Sequence, residues 1–175
     1  MADQETNYEW DRAANIVRDA GGKITGRTKL QKIAYLLSLA GLETTFQFTY
    51  HHYGPYSEDL SDAISAAEIF DLVTEEEKTA EWGGTYSIYR VTRKVGRNNE
   101  QSRSYKLAAA AVEINSIELE LAATAAYLHV AEKVPDPWQE TARRKPEKTK
   151  NKMLEKAQAA YAKLRAIEDG LPDFL

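Results

Sequence analysis

The chain has 175 residues, of which 43% are hydrophobic, and a net charge of −4. We expect one domain with a real hydrophobic core, with or without a small appendage. The absence of cysteine excludes disulfides, thiolate zinc sites and a cysteine nucleophile. No run of about 18 apolar residues occurs, and the first residues are polar and acidic, so we expect a cytoplasmic protein without a membrane span.

The first predicted helix covers residues 7–20. Thr6 and Glu9 have the spacing of a capping box, in which each side chain accepts a hydrogen bond from the backbone of the other. Two glycines follow residue 20 and are expected to end the helix. In the short connection after them, Ile24 is expected to make a brief strand contact.

The chain is organised around residues 28–57. Thr28 and Gln31 form a second capping box, and apolar residues behind them recur at helical spacing. Gly41 is expected to end this second helix, because glycine readily adopts positive φ. A helix pair joined by about six residues is typical of a helix–turn–helix arrangement.

An aromatic strand is predicted over residues 46–50, where bulky rings alternate. Gly54 and Pro55 are then expected to form a tight turn that sets the angle between the strand and a third helix. Ser57 is a good N-cap for this third helix, which is expected to end near Phe70.

A small β wing is predicted after the third helix. Leu72 and Val73 are predicted to form a short strand, and residues 86–91 a second strand. Between them, a charged loop over residues 75–81 and a turn over residues 82–85 are expected to form the wing. Three helices followed by two strands around a loop is the order of a winged helix. We therefore predict a mostly α, α+β fold, with a winged-helix-like core over residues 1–98.

Residues 99–175 are predicted to be helical and to pack on that core within a single domain. The expected helices are residues 99–113, residues 116–133, a short helix capped by Asp136 with Pro137 at its first position, and residues 147–169. Asn115 and Glu118 form a third capping box at the start of the second of these.

The sequence indicates no catalytic chemistry. It contains no Ser/His/Asp order, phosphate-binding loop or dinucleotide-binding glycine pattern. His51 and His52 are neighbours on a predicted strand and point to opposite faces, while His129 is distant, so a metal site is not expected. We expect neither enzymatic activity nor a cofactor.

A binding loop is one interpretation of residues 53–57, because two tyrosines and a helix N-terminus offer rings, hydroxyls and backbone N–H groups together. The other interpretation is architectural, with Pro55 setting a turn and Ser57 capping the helix. The candidate partner-binding residues are Tyr53, Tyr56, Glu58, Asp59 and Asp62.

Charge is distributed unevenly along the chain. Residues 1–88 carry 7 basic and 15 acidic side chains, whereas residues 89–175 carry 16 basic and 12 acidic. Such asymmetry marks a polyanion-binding end, a subunit that meets a charged partner, or merely solvated faces. The candidates for contact with nucleic acid or an acidic partner are Arg27, Lys29, Lys32, Arg90, Arg93, Lys94, Arg97, Arg143, Arg144, Lys145 and Lys148. The third helix is acidic and would repel phosphates, so ordinary major-groove recognition by it is not expected.

Three segments carry a family resemblance: residues 28–35 (TKLQKIAY), residues 53–60 (YGPYSEDL) and, later, residues 118–128. Together they resemble uncharacterised bacterial and archaeal proteins of the YwgA type. More distantly, they are similar to the SocA/Panacea antitoxin domain, which has a comparable Leu-Gln-Lys helix and Gly-Pro turn. Tyr56 departs from the antitoxin branch, which more often has an apolar residue after Gly-Pro.

The resemblance implies a compact, mostly helical domain with a winged-helix-like core. In the antitoxin branch it implies a protein that binds and neutralises a toxin or delivers it to a protease. We therefore predict a non-enzymatic protein-binding module, an antitoxin-like or defence-associated regulatory subunit. The alternative is a winged-helix transcriptional regulator that binds nucleic acid.

Overall fold

The structure is a computed structural model that describes residues 8–175, in which seven helices and five short strands occur. In chain order they are α1 Glu9–Asp19, β1 Lys23–Thr25, α2 Arg27–Leu39, β2 Thr49–His51, β3 Gly54–Tyr56, α3 Glu58–Ile69, β4 Val73–Thr79, β5 Thr85–Val91, α4 Arg103–Val112, α5 Ser116–Val130, α6 Pro137–Arg144 and α7 Met153–Ile167. The expected α+β class with helices dominant is confirmed.

A three-stranded antiparallel sheet has the order β1–β5–β4. Ile24 lies opposite Tyr89, which confirms the strand contact expected for Ile24. The prediction of a charged loop from residue 75 was wrong, because β4 continues to Thr79 and the connection covers only residues 80–84. An edge strand tolerates charged side chains, and here the Glu76 carboxylate accepts a hydrogen bond across the sheet from Arg90 at 3.0 Å.

A separate antiparallel hairpin is formed by β2 and β3. The aromatic strand predicted over residues 46–50 begins only at Thr49, and Phe46 is instead buried outside the strands. The prediction of a turn at Gly54 and Pro55 was also wrong. Both residues lie in β3, and the turn is formed by the two residues before them.

Three predicted N-caps are confirmed. The Ser57 hydroxyl accepts from the Leu60 amide at 3.1 Å, the Asn115 side chain from Ile117, and the Asp136 carboxylate from Gln139. Each satisfies a backbone donor that the first turn of a helix leaves free.

The prediction of a capping box at Thr28 was wrong. The helix α2 begins at Arg27, and its N-cap is Gly26, which provides no side-chain cap. The Gln31 side chain binds a distant part of the chain instead, as described below. The Thr6 cap of α1 lies outside the described residues.

Residues from both predicted segments share one hydrophobic core. Its centre is α5, which packs against α2, α6, α7 and the β3 strand. Two helices of the C-terminal segment begin later than predicted, since α4 begins at Arg103 and α7 at Met153. Among residues 8–175, no helix combines the length and the apolar character that crossing a membrane requires.

Candidate functional site

The hairpin β2–β3 runs through Ser57 directly into α3, and residues 49–69 form what we call the hairpin–α3 unit. The hairpin packs against α2 and α5, and α3 packs against α1 and β4, whereas the outer side of the unit faces solvent. All five residues that the sequence suggested for partner binding lie on this unit, so its two sides decide what those residues can do.

Two neighbouring side chains of α2 hold the inner side. Gln31 donates through Nε2 to the Ser57 carbonyl at 2.9 Å and accepts through Oε1 from the Ser57 amide at 2.8 Å. The Lys32 ammonium donates to the Pro55 carbonyl at 2.7 Å. These bonds satisfy backbone groups of β3 and of the entry to α3.

Gly54 contacts α5 at close range. Its φ is +90°, and a Cβ placed on it would lie 2.4 Å from the Thr124 hydroxyl oxygen. Any larger residue would therefore be strained and would collide with α5. The predicted architectural role of Gly54 thus has a physical basis, although the contact is with α5 and the residue lies in a strand.

A cluster of charged side chains, which we call the lysine cluster, lies under the hairpin turn. It consists of the buried Lys32, Glu120 and Lys145 and of Lys148, which is half-buried. The Lys145 ammonium donates to Glu120 at 2.9 Å and to the His52 carbonyl at 3.1 Å. The Lys148 ammonium donates to both Glu120 oxygens at 2.7 and 2.8 Å. It also lies 4.6 Å from the centre of the Tyr53 ring, within the range of a cation–π contact.

The lysine cluster has one carboxylate for three ammonium groups. Lys32 is only 1% exposed, and its burial lowers the pKa of its ammonium to about 7, an effect that Glu120 opposes and that Lys145 and Lys148 reinforce. The cluster therefore ties α5 and the segment after α6 to the hairpin, and it carries an excess of positive charge beneath it.

The outer side of α3 presents one continuous exposed face. Glu58, Asp62, Ser65 and Ile69 recur at intervals of three or four residues, and all are exposed. We call the carboxylates on and beside this face the acidic face: Glu58, Asp59, Asp62 and Glu68. None of them forms an ion pair within residues 8–175.

Large apolar side chains lie at both ends of the acidic face. Tyr53 is 51% exposed at the N-terminal end of α3, while Ile69 and Phe70 are 81% and 51% exposed at the other end. Phe70 contacts Trp10 of α1, with ring centres 4.8 Å apart. Carboxylates flanked by exposed aromatic and aliphatic side chains are suited to a protein surface that carries both positive charge and apolar groups.

Nine of the eleven predicted basic contact residues are bound within the chain. Lys32, Lys145 and Lys148 belong to the lysine cluster, Lys29 donates to the Val112 carbonyl, Arg27 pairs with Glu75, Arg90 with Glu76, Lys94 with Asp71, and Arg143 and Arg144 with Glu140. Arg93 and Arg97 are exposed and form no ion pair within residues 8–175. The structure therefore does not gather the eleven residues on one surface.

A pocket of about 350 Å³ opens beside α3, between α2, the hairpin and the three-stranded sheet. Tyr53 and Tyr56 line it together with Lys32 and Arg27. On its sheet side, burial tends to raise the pKa of Glu75, but hydrogen bonds from Ser87 and Arg27 outweigh burial, so the pKa lies below its ordinary value. Burial raises the pKa of the neighbouring Tyr89 to about 12, so that phenol is neutral at physiological pH.

The two neighbouring histidines pack on tyrosines. The His51 ring lies 4.7 Å from Tyr56 and the His52 ring 4.9 Å from Tyr53, measured between ring centres. Within the described part of the chain, no group of three or more His, Asp or Glu side chains is placed to hold a metal ion.

The sequence analysis missed three residues that shape this site, because it did not predict the inward contacts of Gln31, Glu120 and Thr124. A usable signal existed for Glu120, because it is a carboxylate within the long apolar run of α5 and a buried carboxylate requires a cationic partner. No signal existed for Gln31 or Thr124, since their partners lie 26 residues or more away and only the fold brings them together.

No protein-family model matches the chain, and no curated protein matches it either.

Proposed function

We propose that this chain is a non-enzymatic protein-binding module, and that it binds its partner through the outer side of the hairpin–α3 unit. The acidic face carries this proposal, since its four carboxylates lack ion-pair partners within residues 8–175 and exposed apolar side chains lie at its ends. Unpaired surface carboxylates steer a positively charged partner, and apolar groups supply binding energy once it is seated.

The winged-helix interpretation is part of the proposal. Setting aside the inserted hairpin, the element order is α1, β1, α2, α3, β4 and β5, and β5 lies between β1 and β4 in the sheet. This order supports a winged helix in which α3 occupies the position of the recognition helix. Its exposed side is acidic, so a basic protein surface suits it better than DNA does.

The resemblance to the SocA/Panacea antitoxin domain supplies the partner class. We infer an antitoxin-like or defence-associated regulatory subunit whose partner is a toxin or a larger effector. On this proposal the partner presents a basic surface to the acidic face.

Affinity purification from the source organism, followed by mass spectrometry, tests the proposal. We compare the wild type with a Glu58→Lys/Asp62→Lys variant and with a control, Glu100→Lys/Glu155→Lys, whose exposed carboxylates lie elsewhere. The wild type and the control are expected to retain one partner in near-stoichiometric amount, and the α3 variant to lose it. Recovery of the wild-type protein alone, or equal recovery with all three, contradicts the proposal.

A transcriptional regulator is the second candidate, and one observation favours it. Arg93 and Arg97 follow the wing, are exposed and form no ion pair within residues 8–175. Electrophoretic shift with the gene's own promoter at low and rising salt tests this function, because phosphate contacts are strongest at low salt. A shift that disappears in an Arg93→Gln/Arg97→Gln variant supports it, and no shift at low salt excludes it.

A further inference from the structure

The pocket beside α3 is lined by more positive than negative charge. The binding of a protein to the acidic face does not explain this excess. Among the described residues that line it, Arg27 and Lys32 are cationic and Glu75 is the one carboxylate. Glu75 already accepts hydrogen bonds from Arg27 and from the Ser87 hydroxyl. Its charge is therefore offset by Arg27, and the protonated form of Lys32, whose pKa is about 7, supplies the net charge of the wall.

Lys32 is held with few compensating contacts. Its ammonium has three donors, yet within residues 8–175 it donates one hydrogen bond, to the Pro55 carbonyl, and forms no ion pair. Behind it, Lys145 and Lys148 add two positive charges against the single carboxylate of Glu120. A buried cation without a contacting anion is energetically costly, and a bound anion would offset that cost.

The start of α2 adds donors on the same wall. Arg27 and Thr28 line the pocket at the first turn of the helix, where Gly26 provides no side-chain cap and no acidic residue is present. The amide groups of this turn and the positive end of the helix dipole both favour an anion. The Thr28 hydroxyl is a further donor there.

The remaining wall combines aromatic, apolar and polar side chains. Its members include Tyr53, Tyr56, Leu30 and Ile64, together with Gln31, Ser61 and Ser65. A volume of about 350 Å³ lies within the usual range of small-molecule sites. We propose that this pocket binds a small organic anion, in which a carboxylate or phosphate lies at the Lys32 and α2 wall and a planar ring lies against the tyrosines. This site borders the partner surface proposed above and shares Tyr53 and Ser65 with it, but it does not rest on that proposal.

Isothermal titration calorimetry on the whole chain tests the proposal with three probes: inorganic phosphate, benzoate and a nucleoside 5′-monophosphate. The two ring-bearing probes separate the carboxylate from the phosphate form of the ligand, and at least one is expected to bind more tightly than inorganic phosphate. A Lys32→Met variant, which keeps the length of the side chain and removes its charge, is expected to weaken that binding at least tenfold.

Two further variants keep the test decisive. Ser65→Trp, at an exposed position of the pocket rim, is expected to block the pocket and abolish binding even if Lys32→Met fails to fold. Lys163→Met removes an exposed cation elsewhere and is expected to bind as the wild type does. No binding of any probe at millimolar concentration overturns the proposal, as does equal binding of the probes by the wild type and Ser65→Trp.

Discussion

The two sides of the hairpin–α3 unit differ in how far their polar groups are fixed by contacts within the chain. On the inner side, Gln31 and Lys32 each bind a specific backbone group, and Gly54 leaves no room against Thr124. On the outer side, carboxylates such as Asp62 are solvated and have no ion-pair partner within residues 8–175. The inner side is therefore expected to govern stability, and the outer side recognition.

Gly54→Val is expected to have the largest effect on stability. Positive φ strains a β-branched residue and the added atoms collide with Thr124, which together should destabilise the fold by about 4 kcal/mol. Denaturant unfolding monitored by circular dichroism measures this. Gly96→Val is a matched control, because nothing lies within 4 Å of a Cβ placed there. If the two variants unfold at the same denaturant concentration, the inner side does not govern stability.

Glu120→Gln is expected to have the second largest effect on stability. It removes the carboxylate that Lys145 and Lys148 share, and leaves the largely buried Lys145 without an anionic partner. Breaking a buried ion pair in this way should destabilise the protein by roughly 3 kcal/mol. Glu155→Gln, on the exposed side of α7, provides the comparison and should change the free energy of unfolding by less than about 0.5 kcal/mol. An equally small change in the free energy of unfolding for Glu120→Gln would mean that the lysine cluster makes no net contribution to stability.

The burial of Lys32 is expected to make stability depend on pH. Its pKa of about 7 in the folded state lies below its ordinary value of 10.5, so between these pH values the unfolded chain binds more protons. Stability should therefore rise with pH across this window, by at most about 1.4 kcal/mol per pH unit from this group. Below pH 7 the ammonium is charged in both states and the slope from Lys32 disappears.

Lys32→Met is the variant that isolates this pH effect. It should lack the Lys32 contribution to the slope, and its stability relative to the wild type should fall steadily from pH 7 to pH 10. Urea unfolding at pH 6, 8 and 9.5 measures both proteins. Parallel stability profiles for the two would contradict the assignment of the effect to Lys32.

Ser57→Ala is expected to have a smaller effect, about 1 kcal/mol, because it removes the hydroxyl that caps α3 and leaves its other contacts in place. Ser65→Ala on the same helix is the control, since the Ser65 hydroxyl is exposed and only bonds back to the Ser61 carbonyl. Thermal melts of the two variants should differ by a few degrees. Equal melting temperatures for the two variants would show that the Ser57 cap does not contribute to stability.

Local chemistry made some of this unit predictable from sequence. A hydroxyl, an amide or a carboxylate just before a helix caps it wherever the helix lies, so Ser57, Asn115 and Asp136 behave as the sequence indicates. The acidic outer face of α3 was also visible, since helical spacing places its charged residues opposite its apolar ones.

Long-range contacts set the rest and left little trace in the sequence. Thr28 and Gln31 have the spacing of a capping box, yet Gln31 binds Ser57 because packing brings the hairpin over α2. Lys32 reads as a surface cation and is buried for the same reason. The charged residues of β4 resemble a loop, and they form a strand because β5 offers them an edge to pair with.

The most direct test of the division between the two sides uses the Glu58→Lys/Asp62→Lys variant. Reversing two solvated charges should lower the free energy of unfolding by only about 1 kcal/mol, because neither carboxylate has an ion-pair partner within residues 8–175 and the main loss is the favourable position of Glu58 at the start of α3. The measurement is the melting temperature and the partner recovery of this variant, made beside those of the wild type. We predict a melting temperature within a few degrees of that of the wild type, with loss of the partner. A variant that melts as the wild type does and still recovers the partner would contradict a recognition role for the outer side of α3.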